Sequence, residues 1–122
     1  MKVLVFGSRE WIDEGIIYRV LSKLPKDTIL VNGYARGADR IADTIGRRLG
    51  FDVRPYPANW DQHGKAAGPI RNREMLAKEH PDAKGVRIDK GFGFSTSRDN
   101  KGTHDMAEAL WEARIRFEIL FP

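Results

Sequence analysis

Short, almost unbroken apolar runs alternate along this chain with segments whose apolar residues recur at helical spacing. The runs KVLVF (2–6) and TILVNG (28–33) are typical of strands buried on both faces of a parallel sheet. Between them, isoleucine, valine and leucine recur every three or four residues from Ile12 to Leu24, and Pro25 ends the pattern. Parallel strands need long crossover connections, which helices usually supply. The alternation therefore constrains the chain to an α/β fold.

The same alternation continues to the end of the sequence. A second helical stripe runs from Ala38 to Leu49 and is followed by Gly50, a residue favoured after helices. The remaining predicted elements are a strand over 51–57, a helix from Pro69 to His80, a strand within 84–96 that starts at Val86 or Gly91, a helix capped by Thr103 and a strand over 116–121. The sequence thus predicts one domain over residues 1–122, a Rossmann-like three-layer sandwich with a mainly parallel five-stranded sheet.

Composition limits the functions open to such a domain. The chain has no cysteine, which excludes disulfides, thiolate catalysis and thiolate metal sites. No apolar run approaches the ~18 residues that indicate a membrane helix, and no cleavage-site pattern follows the first strand. We therefore expect a cytoplasmic protein that makes no membrane contact.

The net charge of +4 permits an anionic partner. The basic residues are scattered rather than gathered into the dense patch that coats nucleic acid, which argues against a nucleic-acid partner. A few arginines that converge on one phosphate would show this distribution instead. Those in or beside predicted loops are Arg9, Arg36, Arg40, Lys65, Arg71, Arg73 and Arg98.

Parallel sheets of this kind bind ligands outside the carboxyl ends of their strands, near the point where the strand order reverses. That rule selects the loops at 7–11, 33–37, 57–68 and 95–102. In the first loop, Gly7 permits a tight turn, and Ser8 and Arg9 offer hydrogen-bond donors. A polar turn with Trp11 packed beneath it would give the same pattern.

The second loop predicts a phosphate cradle at a helix start. Gly33 and Gly37 allow sharp turns that leave backbone N–H groups in open space, where the positive end of the helix dipole adds to them. Arg36 supplies a full charge. Asp39 could orient Arg36 or Arg40, or bind a ribose. A turn with no ligand remains the alternative interpretation.

The last two loops contribute an aromatic side chain and a second helix start. Trp60 is either a wall for a nucleotide base or a core anchor, and Gly102 and Thr103 either cap a helix or also bind an anion. Arg71 and Arg73 lie near a helix start, where their charge indicates a nearby anion unless that helix face is simply solvated. The irregular separations of the three histidines, His63, His80 and His104, do not predict a metal site.

Four motifs together resemble the YspA-like branch of the SLOG superfamily, which also contains the Lonely Guy phosphoribohydrolases and the DprA DNA-binding proteins. They are FGSREW, NGYARGADRIA, GKAAGPIRNREML and GTHDM, and the resemblance spans residue 4 to about residue 113. It implies a Rossmann-like domain that binds a nucleotide or nucleotide-derived ligand without a further cofactor. Homodimerisation would fit the superfamily, and residues 109–121 offer apolar area for it, although the core needs the same residues.

The resemblance also places catalytic positions. Arg71 and Glu74 match the first Lonely Guy motif, whereas Met106 stands where the second has its catalytic glutamate. Methionine cannot stabilise an oxocarbenium ion or activate water. The neighbouring Asp105 is expected to point roughly 100° away around the helix.

Three hypotheses follow, and the first is favoured. The chain is a nucleotide-binding domain that serves as a sensor or sequestering protein, a nucleoside 5′-monophosphate phosphoribohydrolase or other N-glycosidase, or a DprA-like DNA-binding module. The predicted ligand-binding residues are Gly7, Ser8, Arg9, Gly33, Arg36, Gly37, Asp39, Trp60, Gly102 and Thr103. An enzyme would use Arg71 together with Glu74 or Asp39.

Overall fold

Five parallel strands form the sheet of the computed structural model, which describes residues 1–81, 86–97 and 101–122. In chain order the strands are β1 (Lys2–Gly7), β2 (Ile29–Asn32), β3 (Asp52–Pro55), β4 (Lys90–Phe94) and β5 (Phe117–Leu120). Their order across the sheet is β3-β2-β1-β4-β5. The strand order therefore reverses between β1 and β4. The predicted α/β sandwich is confirmed, with every strand parallel.

Helices cover both faces of this sheet. They are α1 (Glu14–Leu21), α2 (Ala38–Arg48), α3 (Trp60–His63), α4 (Ala67–Glu79) and α5 (Lys101–Glu112), with a 3₁₀ turn at Gly64–Ala66. The alternating side chains of β1 divide between two cores. Val3 and Val5 pack with α1 and α2, whereas Leu4 and Phe6 pack with α4 and α5. This two-sided burial explains why the strand reads as an unbroken apolar run.

Several predicted boundaries are wrong by a few residues. Ile12 lies outside α1 and is 88% exposed, because the Asp13 side chain caps the helix by accepting the backbone N–H of Ile16 at 3.1 Å. The fourth strand starts at Lys90, between the two predicted starts. The predicted loop at 57–68 contains α3, the 3₁₀ turn and the first two residues of α4.

The prediction that Thr103 is a helix cap is also wrong. Helix α5 begins at Lys101, so Thr103 lies in its first turn, where it is buried. The polar segment before it, which includes Arg98, lies outside the described residues.

Candidate functional site

A cleft of about 500 Å³ opens at the carboxyl edge of the sheet, beside the point where the strand order reverses. Its apolar lining includes Val5, Phe6, Met75 and Met106. The charged and amide side chains on its walls are Arg9, Glu10, Asp39, Lys65, Arg71, Asn72 and Asp105. An apolar lining with a few converging polar groups is the usual character of a small-molecule site.

Most of the predicted site residues meet at this cleft. Those that line it are Gly7, Arg9, Gly33, Asp39, Trp60, Arg71 and Gly102. Arg36 lines an adjoining cavity of about 270 Å³. Four other predicted residues line neither cavity: Ser8, Gly37, Glu74 and Thr103.

Arg71 connects α4 to the carboxyl ends of β2 and β3. Its Nη1 donates to the backbone carbonyls of Gly33 and Tyr56, the latter at 3.2 Å, and its Nε donates to the side-chain oxygen of Asn72 at 2.8 Å. A Cβ atom at position 33 would lie 2.5 Å from the guanidinium carbon, so only glycine permits this approach. Burial lowers the pKa of Arg71, and the nearby Asp39 opposes that shift.

The Asp39 side chain fixes the backbone of the second loop through hydrogen bonds. Its Oδ2 accepts the backbone N–H groups of Gly33 at 3.0 Å and Ala35 at 3.3 Å, and the residue is only 4% exposed. Burial raises the pKa of Asp39 from its ordinary 3.8 to about 6, although the charge of Arg71 and the two N–H bonds act in the opposite direction. This residue is therefore a buried carboxyl group whose pKa of about 6 lies well above its ordinary value.

Asp39→Asn tests that environment through the pH dependence of stability. Because the folded protein binds this proton more tightly than the unfolded chain, ionised Asp39 lowers stability above pH 6, and the loss is relieved as the pH falls through 6 towards 3.8. Asparagine keeps an acceptor oxygen and cannot ionise. Between pH 4 and pH 7.5, the free energy of unfolding of the variant should rise relative to that of the native protein by up to about 3 kcal/mol. Urea unfolding across this range measures the difference, and parallel curves for the two proteins would contradict it.

The first loop covers the start of α2. The carbonyl oxygen of Ser8 accepts the backbone N–H of Ala38 at 3.1 Å, and Gly37 has φ 85° with its α-carbon against this loop. A Cβ at position 37 would lie 2.3 Å from the Ser8 carbonyl oxygen and 2.6 Å from that of Arg9. Gly37 therefore permits a close backbone contact between the loops.

The second loop was predicted to leave its backbone N–H groups open to a phosphate. For most of these groups the prediction is wrong. The N–H groups of Gly33 and Ala35 bind Asp39, and that of Tyr34 donates to the Asn32 side chain at 2.8 Å. Ala38 is occupied by the first loop. The hydrogen-bond donors that this edge leaves open are therefore chiefly on side chains.

Ser8 does not line the cleft. Its side chain connects two loops of the fold instead. It is fully buried, and its hydroxyl accepts the backbone N–H of Thr96 at 2.9 Å and lies 3.4 Å from the hydroxyl of Ser95. Ser8 thus joins the loops that follow β1 and β4, the two strands at the reversal.

Trp60 is part of the cleft wall and not a core anchor. It is 46% exposed, and the guanidinium carbon of Arg9 lies 4.9 Å from its ring centroid. This distance is within the range of a cation–π contact, which holds Arg9 above the cleft.

The sequence did not identify the pair formed by Asn72 and Asp105. The Asn72 amide donates to Asp105 Oδ2 at 2.8 Å, and Arg73 donates to the same oxygen at 2.9 Å. Both members of the pair line the cleft, so the expectation that Asp105 points away from it is wrong. Glu74, in contrast, is exposed on α4.

Comparisons with known proteins identify the family. The YspA, cpYpsA-related SLOG family matches residues 1–63, just over half of the chain. The chain belongs to this SLOG family. A relative from Mycobacterium phage D29, named Gene 61 protein, is 42% identical over 84 residues, which cover 62% of this chain and 67% of the relative. No solved structure matches the chain.

The SLOG family match covers the first two site loops and Trp60 but ends before α4 and α5. Arg71 and Asp105, which close the other side of the cleft, therefore lie beyond it. Among residues 1–81, 86–97 and 101–122, no helix is long and apolar enough to cross a membrane. The same part of the chain contains no cluster of three histidine, aspartate or glutamate residues suited to hold a metal ion.

Proposed function

We propose that the cleft binds a nucleotide or nucleotide-derived ligand and that the protein acts as a sensor or sequestering protein for it. The observation that carries this proposal is the convergence of Arg9, Arg71 and Lys65 on a cleft with an apolar lining at the strand reversal of a SLOG domain. Cations attract the phosphate, and the apolar lining accepts a base.

Different residues of the lining are suited to bind different parts of the ligand. Arg9 and Lys65 attract the phosphate. Asp39 and the pair formed by Asn72 and Asp105 offer acceptors and donors to ribose hydroxyls. Trp60 is half-exposed beside the cleft and provides a flat surface for the base.

Two of the three carboxylates on the cleft wall, Asp39 and Asp105, favour N-glycosidase activity as a second candidate function. Asp39, with its pKa near 6, is suited to donate a proton to a leaving base, and Asp105 would stabilise positive charge on the ribose. Glu74 is exposed outside the cleft and is not part of this candidate mechanism.

Calorimetric titration with purine and pyrimidine nucleoside monophosphates tests the proposal. We expect saturable binding, with the ligand recovered intact and an affinity about 10-fold lower in Arg9→Gln, because one charge-assisted contact is lost. Arg48→Gln removes the same charge from an exposed position away from both cavities and should leave the affinity unchanged.

The same samples are assayed for free base. Base that accumulates with time, and no longer does so in Asp39→Asn, would establish the glycosidase instead. If no nucleotide binds or reacts, the proposed function is wrong.

A further inference from the structure

We propose that the cavity beside the cleft is a second phosphate subsite and that the preferred ligand is a nucleoside diphosphate. This inference rests on the proposed function and specifies its ligand. The cavity has a volume of about 270 Å³. Its wall shares five residues with the cleft, namely Arg9, Gly33, Ala35, Trp60 and Arg71. One ligand can therefore extend from the cleft into the cavity.

The charges on the two walls differ. Among the residues that the structure describes, three carboxylate residues as well as cations line the cleft, whereas the cavity is lined by four arginines and no acidic residue. Two of those arginines, Arg36 and Arg40, belong to the cavity alone. A site with this composition attracts a compact anion, and guanidinium groups bind phosphate oxygens particularly well.

Arg40 is held in place before any ligand binds. Its Nε donates to the carbonyl oxygen of Tyr34 at 3.2 Å, and its guanidinium carbon lies 4.9 Å from the centroid of the Tyr34 ring. A side chain fixed by two contacts loses less rotamer entropy when it binds an anion. The loop that carries Tyr34 is itself fixed, because Asn32 and Asp39 accept its N–H groups.

Arg36 can exchange its ion pair with Glu10 for a contact with a bound anion at a small cost in free energy. Its Nη2 lies 3.2 Å from Glu10 Oε1, and the two side chains are 69% and 74% exposed. Ion pairs this exposed contribute little to stability. A phosphate in the cavity would therefore compete well with Glu10 for this guanidinium.

The size of the cavity decides which ligand extends into it. Its volume of about 270 Å³ is below the range of about 300–1,000 Å³ typical of drug-sized ligands. A second nucleoside would fill nearly all of this volume against a wall with four arginines, whereas one phosphate group is much smaller and matches their charge. The geometry thus favours a nucleoside diphosphate over both a monophosphate and a dinucleotide.

The test compares AMP with ADP, and each other nucleoside monophosphate with its diphosphate, at constant ionic strength. We expect the diphosphate of the recognised base to bind about 10-fold or more tightly than its monophosphate. Arg40→Gln and Arg36→Gln should each reduce this preference at least several-fold, because each weakens diphosphate binding more than monophosphate binding. Arg48→Gln, on the same helix as Arg40, should change neither affinity.

The outcomes separate the two proposals. Equal affinities for monophosphate and diphosphate, or a diphosphate preference that both cavity variants retain, would overturn the second subsite and leave the proposed function intact. A dinucleotide of the same base that binds more tightly than the diphosphate would overturn the size argument. If neither phosphate series binds, the proposed function fails and the subsite fails with it.

Discussion

Gly37→Ala is expected to destabilise the protein by about 3 kcal/mol or more, because two costs act together. The residue has φ 85°, a conformation that a side chain disfavours. An added Cβ would also lie 2.3 Å from the carbonyl oxygen of Ser8 and 2.6 Å from that of Arg9. Both atoms belong to the backbone of the first loop, so that loop must move away from α2. Urea unfolding at pH 7 measures the loss of stability.

Gly50→Ala is the matched control for this change. Gly50 has nearly the same φ of 83°, but no heavy atom lies within 4 Å of a Cβ built at that position. This variant carries the conformational cost alone, about 1 kcal/mol. Equal losses in the two variants would show that the close contact between the loops contributes nothing. Nucleotide binding should weaken in Gly37→Ala only, because Arg9 lies on the displaced loop.

The fold could be predicted from the sequence because its main determinant is local. The alternating side chains of β1 serve two different cores, so the apolar run itself indicates burial on both faces. Helix ends were less predictable. Ile12 fits the apolar spacing of α1, but the cap at Asp13 places it outside the helix. Spacing alone therefore could not fix that boundary.

Only part of the candidate site could be predicted from the sequence, for a related reason. The rule for ligand sites in parallel sheets selected the correct edge, and the cleft lies there. The pattern did not show that Asn32 and Asp39 accept the N–H groups of the second loop, although asparagine commonly binds the backbone two residues ahead. That signal was present in the sequence.

The position of Asp105 on the cleft wall depends on tertiary packing. Gly102, Asp105 and Met106 all line the cleft, and their spacing of three and four residues forms one stripe along α5. Neighbouring residues on a helix are separated by 100°, which would exclude Asp105 only if a ligand contacted one position of α5. A cleft wide enough to contact the whole stripe includes both the methionine and the aspartate.

Arg71→Met is expected to weaken nucleotide binding by about 100-fold or more and to lower stability by about 3 kcal/mol. The guanidinium donates to the carbonyls of Gly33 and Tyr56, and methionine leaves both without this donor. Asp39 also loses the positive charge that acts on it most strongly, while it remains buried. Calorimetry measures the affinity, and urea unfolding measures the stability. Arg73→Met is the control, because Arg73 lies on the same helix and its partly exposed pair with Asp105 is expected to contribute about 1 kcal/mol or less.

The pH dependence of Arg71→Met distinguishes a lost charge from a general disruption of the site. The charge of Arg71 is the largest cause that lowers the pKa of Asp39, and burial is the cause that raises it. Without the guanidinium, the pKa of Asp39 should therefore rise above 6, so the loss of stability would still begin near pH 3.8 but would become larger and level off at a higher pH. Combining Arg71→Met with Asp39→Asn should remove that pH dependence, since asparagine cannot ionise. An unchanged window in Arg71→Met would mean that the two side chains are not electrostatically coupled, and a loss of binding would then reflect the displaced Gly33 loop alone.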